Sequence, residues 1–322
     1  KGDCMIRYIL KRILQAVPLL LVISFIVFTL IHLAPYDAID AQITSNMSQE
    51  EINILREQSG LNKPFLIQYV DWLGQILSGN FGHSLVTHNS VGEEILAKIP
   101  NTISLVLPAY ITALIIAIVL GLLAAANKGK WQDKFIDAVA SLGIATPSFW
   151  IAMIFIYVLG YQLNLFPIIG MHTIGKEDDF GDFLSHFIMP YLTLTIVFFA
   201  ELTRYVRSSA LSQTNEEYVV VQQAFQATKT QIFTRHIIKN VLIPVITQVG
   251  MSLPMLVTGA IITETVFSWP GIGPYITQAT RALDYPIIMA VMLLSATLVI
   301  VGNLISDILY SIVDPRIRRG GK

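Results

Sequence analysis

Carboxylates inside apolar stretches are the first candidates for chemistry in this sequence. Glu201, Glu264 and Asp307 each lie in a long run of mainly apolar residues. A charged group in such surroundings is costly and usually faces a water-filled cavity or a partner. Arg204 follows Glu201 by three residues, and residues at this spacing share one face of a helix. The pattern predicts either an internal Glu201–Arg204 ion pair or two charges that line a cavity.

Glu264 and Asp307 each have a structural and a functional interpretation. Glu264 precedes the sequence Trp269-Pro270-Gly271, so its carboxylate either holds this turn or meets an amine of a ligand. Asp307 either pairs with a basic residue of a neighbouring helix or faces a cavity. We favour the structural interpretation for both residues.

The arrangements that support hydrolysis inside a membrane are missing from the apolar segments. A serine type would need a Gly-x-Ser motif in a span with a partner histidine, and a metal type would need His-Glu-x-x-His. Asp284 and Asp307 are available for an aspartyl type, but neither follows a glycine and Asp284 falls at the edge of an apolar segment. We therefore expect no catalytic residue in this chain.

Metal binding is not indicated either. The single cysteine, Cys4, excludes a cysteine-based cluster and an internal disulfide framework. The imidazoles of His83 and His88 would suit nickel, but their spacing does not place them on one helix face and no third ligand is near. We expect no metal site, and a surface role for both histidines.

Six apolar segments are long enough to cross a membrane. A span needs roughly 20 apolar residues, and backbone groups in hydrocarbon must pair internally, which favours helices. The composition agrees, since 54% of the 322 residues are hydrophobic and only 13% are charged. Prolines in or beside these segments, such as Pro147, predict kinks. The segments are 10–33, 102–126, 136–159, 187–206, 242–266 and 287–312. We expect an all-α integral membrane protein with about six transmembrane helices.

The basic residues predict how these helices are oriented. Four regions fall on one side of a six-span protein and share a basic character: Arg7, Lys11 and Arg12; Lys128, Lys130 and Lys134; Arg204, Arg207, Lys229, Arg235 and Lys239; and Arg316, Arg318, Arg319 and Lys322. The loops on the opposite side, 34–99 and 160–186, are rich in acidic residues instead. By the positive-inside rule both termini lie in the cytoplasm.

The chain divides into an N-terminal part, an outer loop and a helical core. We expect residues 1–4, which precede Met5, to be a cloning remnant, and residues 5–33 to hold the first transmembrane helix, since its apolar run is too long for a signal-peptide core. Residues 34–99 form an extracytoplasmic loop and residues 100–322 a five-helix core. Ser48 and Glu51 have capping-box spacing, which predicts a helix in the outer loop that Gly60 can end. A second short helix is predicted over residues 65–77. The loop either packs as a lid on the spans or offers a docking surface.

The longest cytoplasmic segment, residues 208–241, is the most informative loop. Apolar residues such as Val219, Val220 and Phe225 lie among polar ones in it, which is typical of short amphipathic helices that lie beside a membrane or in the groove of another protein. The chain contains no ATP-binding motif. We therefore expect a cytoplasmic partner to bind this segment.

Several sequence motifs, taken together and in their order along the chain, resemble those of the permease subunits of dipeptide, oligopeptide and nickel ABC importers. Their matching stretches are Gly60-Leu61-Asn62-Lys63-Pro64-Phe65, Ala145-Thr146-Pro147-Ser148-Phe149-Trp150, Glu217-Tyr218-Val219 with Ala224, Arg235-His236 and Asn240-Val241-Leu242-Ile243-Pro244, Glu264-Thr265-Val266-Phe267-Ser268-Trp269-Pro270-Gly271, Asp284-Tyr285-Pro286 and Asp314-Pro315-Arg316. The resemblance implies that segment 208–241 carries a coupling helix, which sits in a groove of an ATPase subunit. The coupling residues so implied are Glu217, Tyr218, Gln222, Gln223, Ala224, Phe225 and Gln226.

The same resemblance implies partners and a substrate class. It implies a second, homologous permease subunit, two ATPase subunits that hold ATP and magnesium ions, an extracytoplasmic substrate-binding protein, and a place in the lipid of a bacterial-type plasma membrane. No nucleic acid and no cofactor of this chain are implied. Peptides are the favoured substrate, with nickel or a metallophore complex as the alternative. A secondary carrier independent of ATP is a further alternative, although such carriers usually show internal repeats that this sequence lacks.

One position departs from the family pattern. Gln226 stands where the family usually has a glycine, two residues after Ala224. Glycine would permit a tight turn between two short helices. The substitution predicts either a more continuous helix or a turn at another place.

Overall fold

A computed structural model describes residues 2–33, 43, 47–58, 62–258 and 260–313 of the chain. Within these residues the regular structure is helical, apart from one isolated bridge between His83 and Ser90. The predicted all-α class is confirmed. The helices of the first half are α1 Gly2–His32, α2 Gln49–Gln58, α3 Phe65–Leu77, α4 Val91–Ala126, α5 Trp131–Ala145 and α6 Ser148–Phe155.

The second half is built from long and short helices in turn. They are α7 Phe180–Gln213, α8 Glu217–Ala224, α9 Lys229–Gln231, α10 Ile238–Thr258, α11 Ile261–Val266, α12 Ile272–Arg281 and α13 Tyr285–Val313. Two π-helical stretches continue neighbouring helices: Ile156–Gln162 follows α6, and Ile232–Ile237 leads from α9 into α10.

Four described helices are long and apolar enough to cross a membrane. They are the Leu14–His32 part of α1, all of α4 and α7, and the Tyr285–Ser306 part of α13. A fifth candidate is the pair formed by α5 with the stretch Ser148–Gln162, which bends by 96°. The predicted fifth span is divided between α10 and α11, so a count of six stays a prediction.

The bend after α5 confirms the kink predicted at Pro147. Proline disfavours helical dihedral angles in the residue before it, and Thr146 is extended with a ψ of 121°. Pro147 is extended as well and becomes the residue that precedes α6. The third predicted span is therefore two helices at a sharp angle rather than one rod.

Helices α4 and α7 form the centre of the fold. The facing residues of α4 include Ala109, Ala113 and Ala117, which are fully buried and let the two backbones approach closely. Tyr110 of α4 meets Phe198 of α7 edge to face, with ring centroids 5.5 Å apart. With 36 residues, α4 is about 54 Å long, well beyond the roughly 30 Å of a hydrocarbon core. Part of α4 must therefore lie outside the apolar layer, and its first turn, which carries Glu93 and Glu94, is the polar end.

The outer loop contains both helices predicted for it. The backbone N–H of Ser48 donates to Glu51 Oε2 at 2.7 Å, and Glu51 N–H donates to Ser48 Oγ at 3.3 Å, so the predicted capping box is confirmed. Gly60 lies outside the described residues. The second helix has its predicted bounds, and its Phe65 and Tyr69 rings pack against Phe25 of α1.

A buried aspartate fastens the end of this loop to the helical core. Asp284 precedes α13 and is almost fully buried. Its carboxylate accepts hydrogen bonds from Ser84 Oγ at 2.5 Å and from the Leu85 N–H at 3.2 Å. The loop is therefore packed on the core at this point, as the lid interpretation predicts.

Candidate functional site

Segment 208–241 folds into a short helix held against the ends of the long ones. Val219 of α8 is buried, and it packs in one apolar cluster with Val206 of α7 and with Ile232 and Phe233 of the π-helical stretch. The cluster continues to Val241 in α10. One side of α8 is thus anchored to elements that belong to the long helices.

The other side of α8 is apolar and exposed. Val220 is 60% exposed, Val221 49% and Phe225 79%. These three neighbouring apolar side chains form an exposed apolar surface on this side of α8. We call these three residues, together with Ala224, the α8 patch.

The seven predicted coupling residues all fall on α8 and the turn after it. Glu217, Gln223, Ala224, Phe225 and Gln226 are exposed, and Gln222 is half-buried. Tyr218 turns inward, since its hydroxyl donates to Gln213 Oε1 at 3.1 Å. The structure therefore brings the predicted set together on one short element, with Tyr218 on its anchored side.

The turn found at Gln226 differs from both structures that the sequence predicted for this residue. α8 ends at Ala224, and Gln226 adopts a left-handed conformation with φ of 60°. The Gln226 N–H donates to the Gln223 carbonyl at 2.9 Å and the Ala227 N–H to the Gln222 carbonyl at 3.0 Å, which is the Schellman arrangement of a helix end. Both expectations, a continuous helix and a turn elsewhere, are wrong. The two hydrogen bonds and the apolar anchors on either side hold the turn although the residue is not glycine.

Gln226→Gly should stabilise this turn. A side chain in the left-handed region costs about 1 kcal/mol relative to glycine, so we expect the free energy of unfolding to rise by about 0.5–1 kcal/mol. Thermal unfolding of the purified protein would measure the gain. Gln223→Gly, inside α8, is the matched control and should lower stability by a similar amount. Equal effects of the two changes would contradict the assigned turn.

A capping box starts the next helix and was not identified from the sequence. Thr228 Oγ1 accepts from the Gln231 N–H at 3.3 Å, and the Thr228 N–H donates to Gln231 Oε1 at 2.9 Å. Thr-x-x-Gln has the spacing of the motif, so the signal was present. The box fixes the direction in which the chain leaves α8.

An ion pair with a buried carboxylate joins the first turn of α5 to the last turns of α7. Arg207 Nε donates to Asp133 Oδ1 at 2.6 Å and Arg207 Nη2 donates to Oδ2 at 3.0 Å. The Gly129 N–H donates to the same carboxylate at 2.8 Å. The Asp133 side chain is 5% exposed, whereas that of Arg207 is 26% exposed. The pair ties α5 to the part of α7 that carries segment 208–241.

Removing one member of this pair should cost more than removing both. Arg207→Ala leaves a buried carboxylate unpaired, and we expect a loss of about 3 kcal/mol in the free energy of unfolding. The double variant with Asp133→Ala should recover part of this loss. Chemical or thermal unfolding of the four proteins measures the coupling energy. Purely additive losses would contradict a direct pairing.

Glu264 caps a helix. It is fully buried, and its Oε2 accepts a hydrogen bond from the Gly273 N–H at 2.7 Å. Thr102 Oγ1 of α4 accepts from the Ile272 N–H at 2.9 Å. Together they satisfy the first two N–H groups of α12, which have no partner within their own helix. This placement is the one that the capping interpretation of Glu264 predicts.

The turn between α11 and α12 is fixed to α4 by its own polar groups. Trp269 Nε1 donates to the Asn101 carbonyl at 2.8 Å, and Asn101 Nδ2 donates to the Pro270 carbonyl at 3.0 Å. A Cβ atom on Gly271 would overlap the Glu264 carboxyl group and lie 2.5 Å from Thr102 Oγ1. The turn therefore requires glycine at this position for space.

Comparison with known protein families decides the class of the chain. Residues 117–319 match the family described as the binding-protein-dependent transport system inner membrane component. Residues 5–106 match the N-terminal part of such a membrane component. The chain belongs to this family of permeases. The resemblance seen in the sequence motifs is confirmed over nearly the whole permease.

Curated relatives match the permease along its full length. The oligopeptide transport system permease protein AppB of Bacillus subtilis is 38% identical over 314 residues, which cover 97% of this chain and 99% of the relative. The metal-staphylopine import system permease protein CntB of Staphylococcus aureus is 34% identical, covering 99% and 100%. The dipeptide transport system permease protein DppB of Alkalihalophilus pseudofirmus is 33% identical, covering 98% and 100%.

Two further charged residues, Glu201 and Arg204, lie on a candidate membrane span of the permease. Glu201 and Arg204 are both exposed on α7, and among the described residues no ion pair joins them. Exposed charges on a spanning helix need a water-filled path or a second chain beside them. Asp307 lies in α13, but its side chain is outside the part that the structure describes.

The outer histidines have structural positions in the loop. His83 pairs with Ser90 through the isolated bridge, and His88 occupies a tight turn with φ of 59°. Within the described residues, no three His, Cys, Asp or Glu side chains lie close enough together to hold a metal ion.

Proposed function

We propose that this permease forms half of the translocation path of an ATP-driven peptide importer. The observation that carries the proposal is the α8 patch, an exposed apolar surface on a helix whose opposite side is anchored to α7 and α10. A partner that binds this patch can move the long helices, and the permease itself then needs no catalytic group. The oligopeptide and dipeptide permeases among its relatives support peptides as the substrate class.

The proposal includes partners that supply energy and substrate. Two ATPase subunits with bound ATP and magnesium ions dock at the α8 patch of this chain and of a second, homologous permease. An extracytoplasmic binding protein delivers substrate at the opposite end. Both termini and segment 208–241 lie in the cytoplasm, and ATP-driven closure of the ATPases biases an equilibrium between two arrangements of the spans. The permease itself holds no catalytic group and no cofactor.

Reconstitution tests the proposal. The two permeases, the two ATPases and the binding protein are placed in liposomes, and uptake of radiolabelled trialanine is followed. We expect accumulation that requires ATP and the binding protein and stops when the ATPases are omitted. Uptake that a proton gradient drives without ATP would contradict the proposal and favour a secondary carrier.

A metal–metallophore complex is the second candidate substrate. The specific observation in its favour is the 34% identity to a metal-staphylopine import permease. Parallel uptake of nickel-63, offered free or with a staphylopine-type chelator, distinguishes the two. Uptake of the metal complex in preference to trialanine would replace peptides by metallophores while leaving the ATP-driven mechanism intact.

A further inference from the structure

A cleft lies beside the turn between α11 and α12, at the outer-loop end of the permease. Its volume is about 350 Å³, which falls in the range of small-molecule sites. Pro270 and Pro274 contribute apolar wall, while Lys98, Gln278 and Arg281 bring polar groups. No role has been assigned to these last three side chains so far.

The two cations of the cleft differ in how far they are neutralised. Lys98 Nζ lies 3.2 Å from Glu94 Oε2 and 5.1 Å from the centre of the Tyr275 ring, which leaves it only partly available. Arg281 is the last residue of α12 and is exposed. Among the described residues it has neither an ion pair nor a hydrogen-bond partner for its side chain.

The two charged groups that line the cleft, Lys98 and Arg281, are hydrogen-bond donors without acceptor capacity. The hydroxyls of Thr265 and Thr277 donate to carbonyls of their own helices at 2.6 and 2.9 Å, so their protons are taken. The Tyr275 hydroxyl is buried and has no hydrogen-bond partner in the described part of the chain. Burial, with a smaller effect of nearby carboxylates, raises the pKa of Tyr275 to about 12, so it keeps its proton at neutral pH.

A guanidinium group without a partner, beside a partly free ammonium, selects a ligand that accepts hydrogen bonds and carries negative charge. The planar fork of Arg281 matches a carboxylate, which it can bind with two parallel hydrogen bonds. The apolar wall formed by Pro270 and Pro274 suits an uncharged portion next to that carboxylate. A substrate with a carboxylate at one end of a small organic body satisfies both features.

We propose that this cleft binds the C-terminal carboxylate of a peptide at the outer end of the permease, with Arg281 as the main ligand and Lys98 as a secondary one. The inference rests on the proposed peptide transport, since it names where that substrate is held. Arg281 is here a specificity-determining residue. It takes no part in the docking of the ATPases.

Ligand binding to the assembled transporter tests this inference. The complex is embedded in nanodiscs without the binding protein, and dissociation constants are measured by saturation-transfer NMR for trialanine and for trialanine amide. We expect Arg281→Gln to weaken binding of trialanine about tenfold, as for loss of a hydrogen bond between charged groups. The amide, which lacks the charge, should bind wild type and variant equally weakly.

Two further variants control for structural effects. Arg281→Lys keeps the charge but loses the planar fork, so an intermediate loss is expected. Lys176→Gln removes an exposed cation from the second outer loop and should leave binding unchanged. The inference would be overturned if the wild type bound acid and amide equally, or bound neither. It would also be overturned if Arg281→Gln left the dissociation constant for trialanine unchanged.

The result of the binding experiment can be distinguished from the result of the transport experiment. ATP-driven uptake of trialanine by the wild-type liposomes supports the proposed function whatever the NMR titration shows. Absence of uptake together with carboxylate-selective binding would reject peptide transport and keep the cleft as an anion site.

Discussion

Ala224→Arg is expected to reduce ATP-driven uptake at least tenfold while the permease still folds and inserts. Ala224 is exposed at the end of α8 and lies next to Phe225 in the α8 patch, so we expect a longer side chain to extend into solvent in the isolated permease. In a docked complex the guanidinium would be buried without a partner, which costs several kcal/mol, and each 1.4 kcal/mol is about tenfold in affinity. ATP hydrolysis should become independent of the binding protein and its substrate.

Ser212→Arg is the matched control for this experiment. Ser212 is exposed near the end of α7, within segment 208–241 but outside the α8 patch, so the two variants distinguish docking at the patch from docking elsewhere on the segment. The same added charge there should leave uptake and stimulated ATP hydrolysis close to wild type. Full transport by Ala224→Arg, with normal insertion of both variants, would contradict docking at the patch.

Gly271→Ala is expected to destabilise the permease by about 3 kcal/mol, which combines overpacking with loss of a helix cap. The added methyl group would overlap the Glu264 carboxyl group and crowd Thr102 Oγ1. Because these two groups cap α12, one of them must move and leave an N–H unpaired. Thermal unfolding of the detergent-purified protein, followed by intrinsic fluorescence, measures the loss.

Gly74→Ala is the same replacement of glycine by alanine, but it is expected to raise the stability of the permease. Gly74 lies inside α3, and a Cβ atom there would meet nothing within 4 Å. Alanine is the better helix former, so a gain of about 0.5–1 kcal/mol is expected. Comparable effects at the two glycines would show that the contact between Gly271 and Glu264 does not hold in solution.

Local signals in the sequence predicted local structure well. The capping box of Ser48 and Glu51 and the second outer helix depend on residues within one or two helical turns, and both formed as expected. The kink at Pro147 follows from the chemistry of a single residue, although its angle of 96° depends on packing that no local rule contains.

The local capping box of Thr228 and Gln231 was missed although its spacing is readable in the sequence. The other errors and omissions arose where contacts between residues distant in the sequence determine the structure. Gln226 favours a helix by its own propensity, but the turn is imposed by anchors on both sides, Val219 before it and Phe233 after it. Asp133 and Arg207 are 74 residues apart, and Ser84 and Asp284 are 200 residues apart. No spacing rule relates such pairs, so the sequence indicated charged or polar residues at both ends without indicating that they meet.

The most direct test of the account asks on which side of the membrane the α8 patch lies. The chain has a single cysteine, so Cys4→Ser gives a background without thiols. Phe225→Cys and Ile174→Cys are then introduced at two of the most exposed apolar positions, 79% and 97% exposed, and intact cells are treated with a membrane-impermeant maleimide. We expect labelling of Cys at position 174 from outside, and labelling at position 225 only after the membrane is opened and the ATPases are removed. Labelling at position 225 in intact cells would contradict a cytoplasmic coupling helix and with it the proposed mechanism.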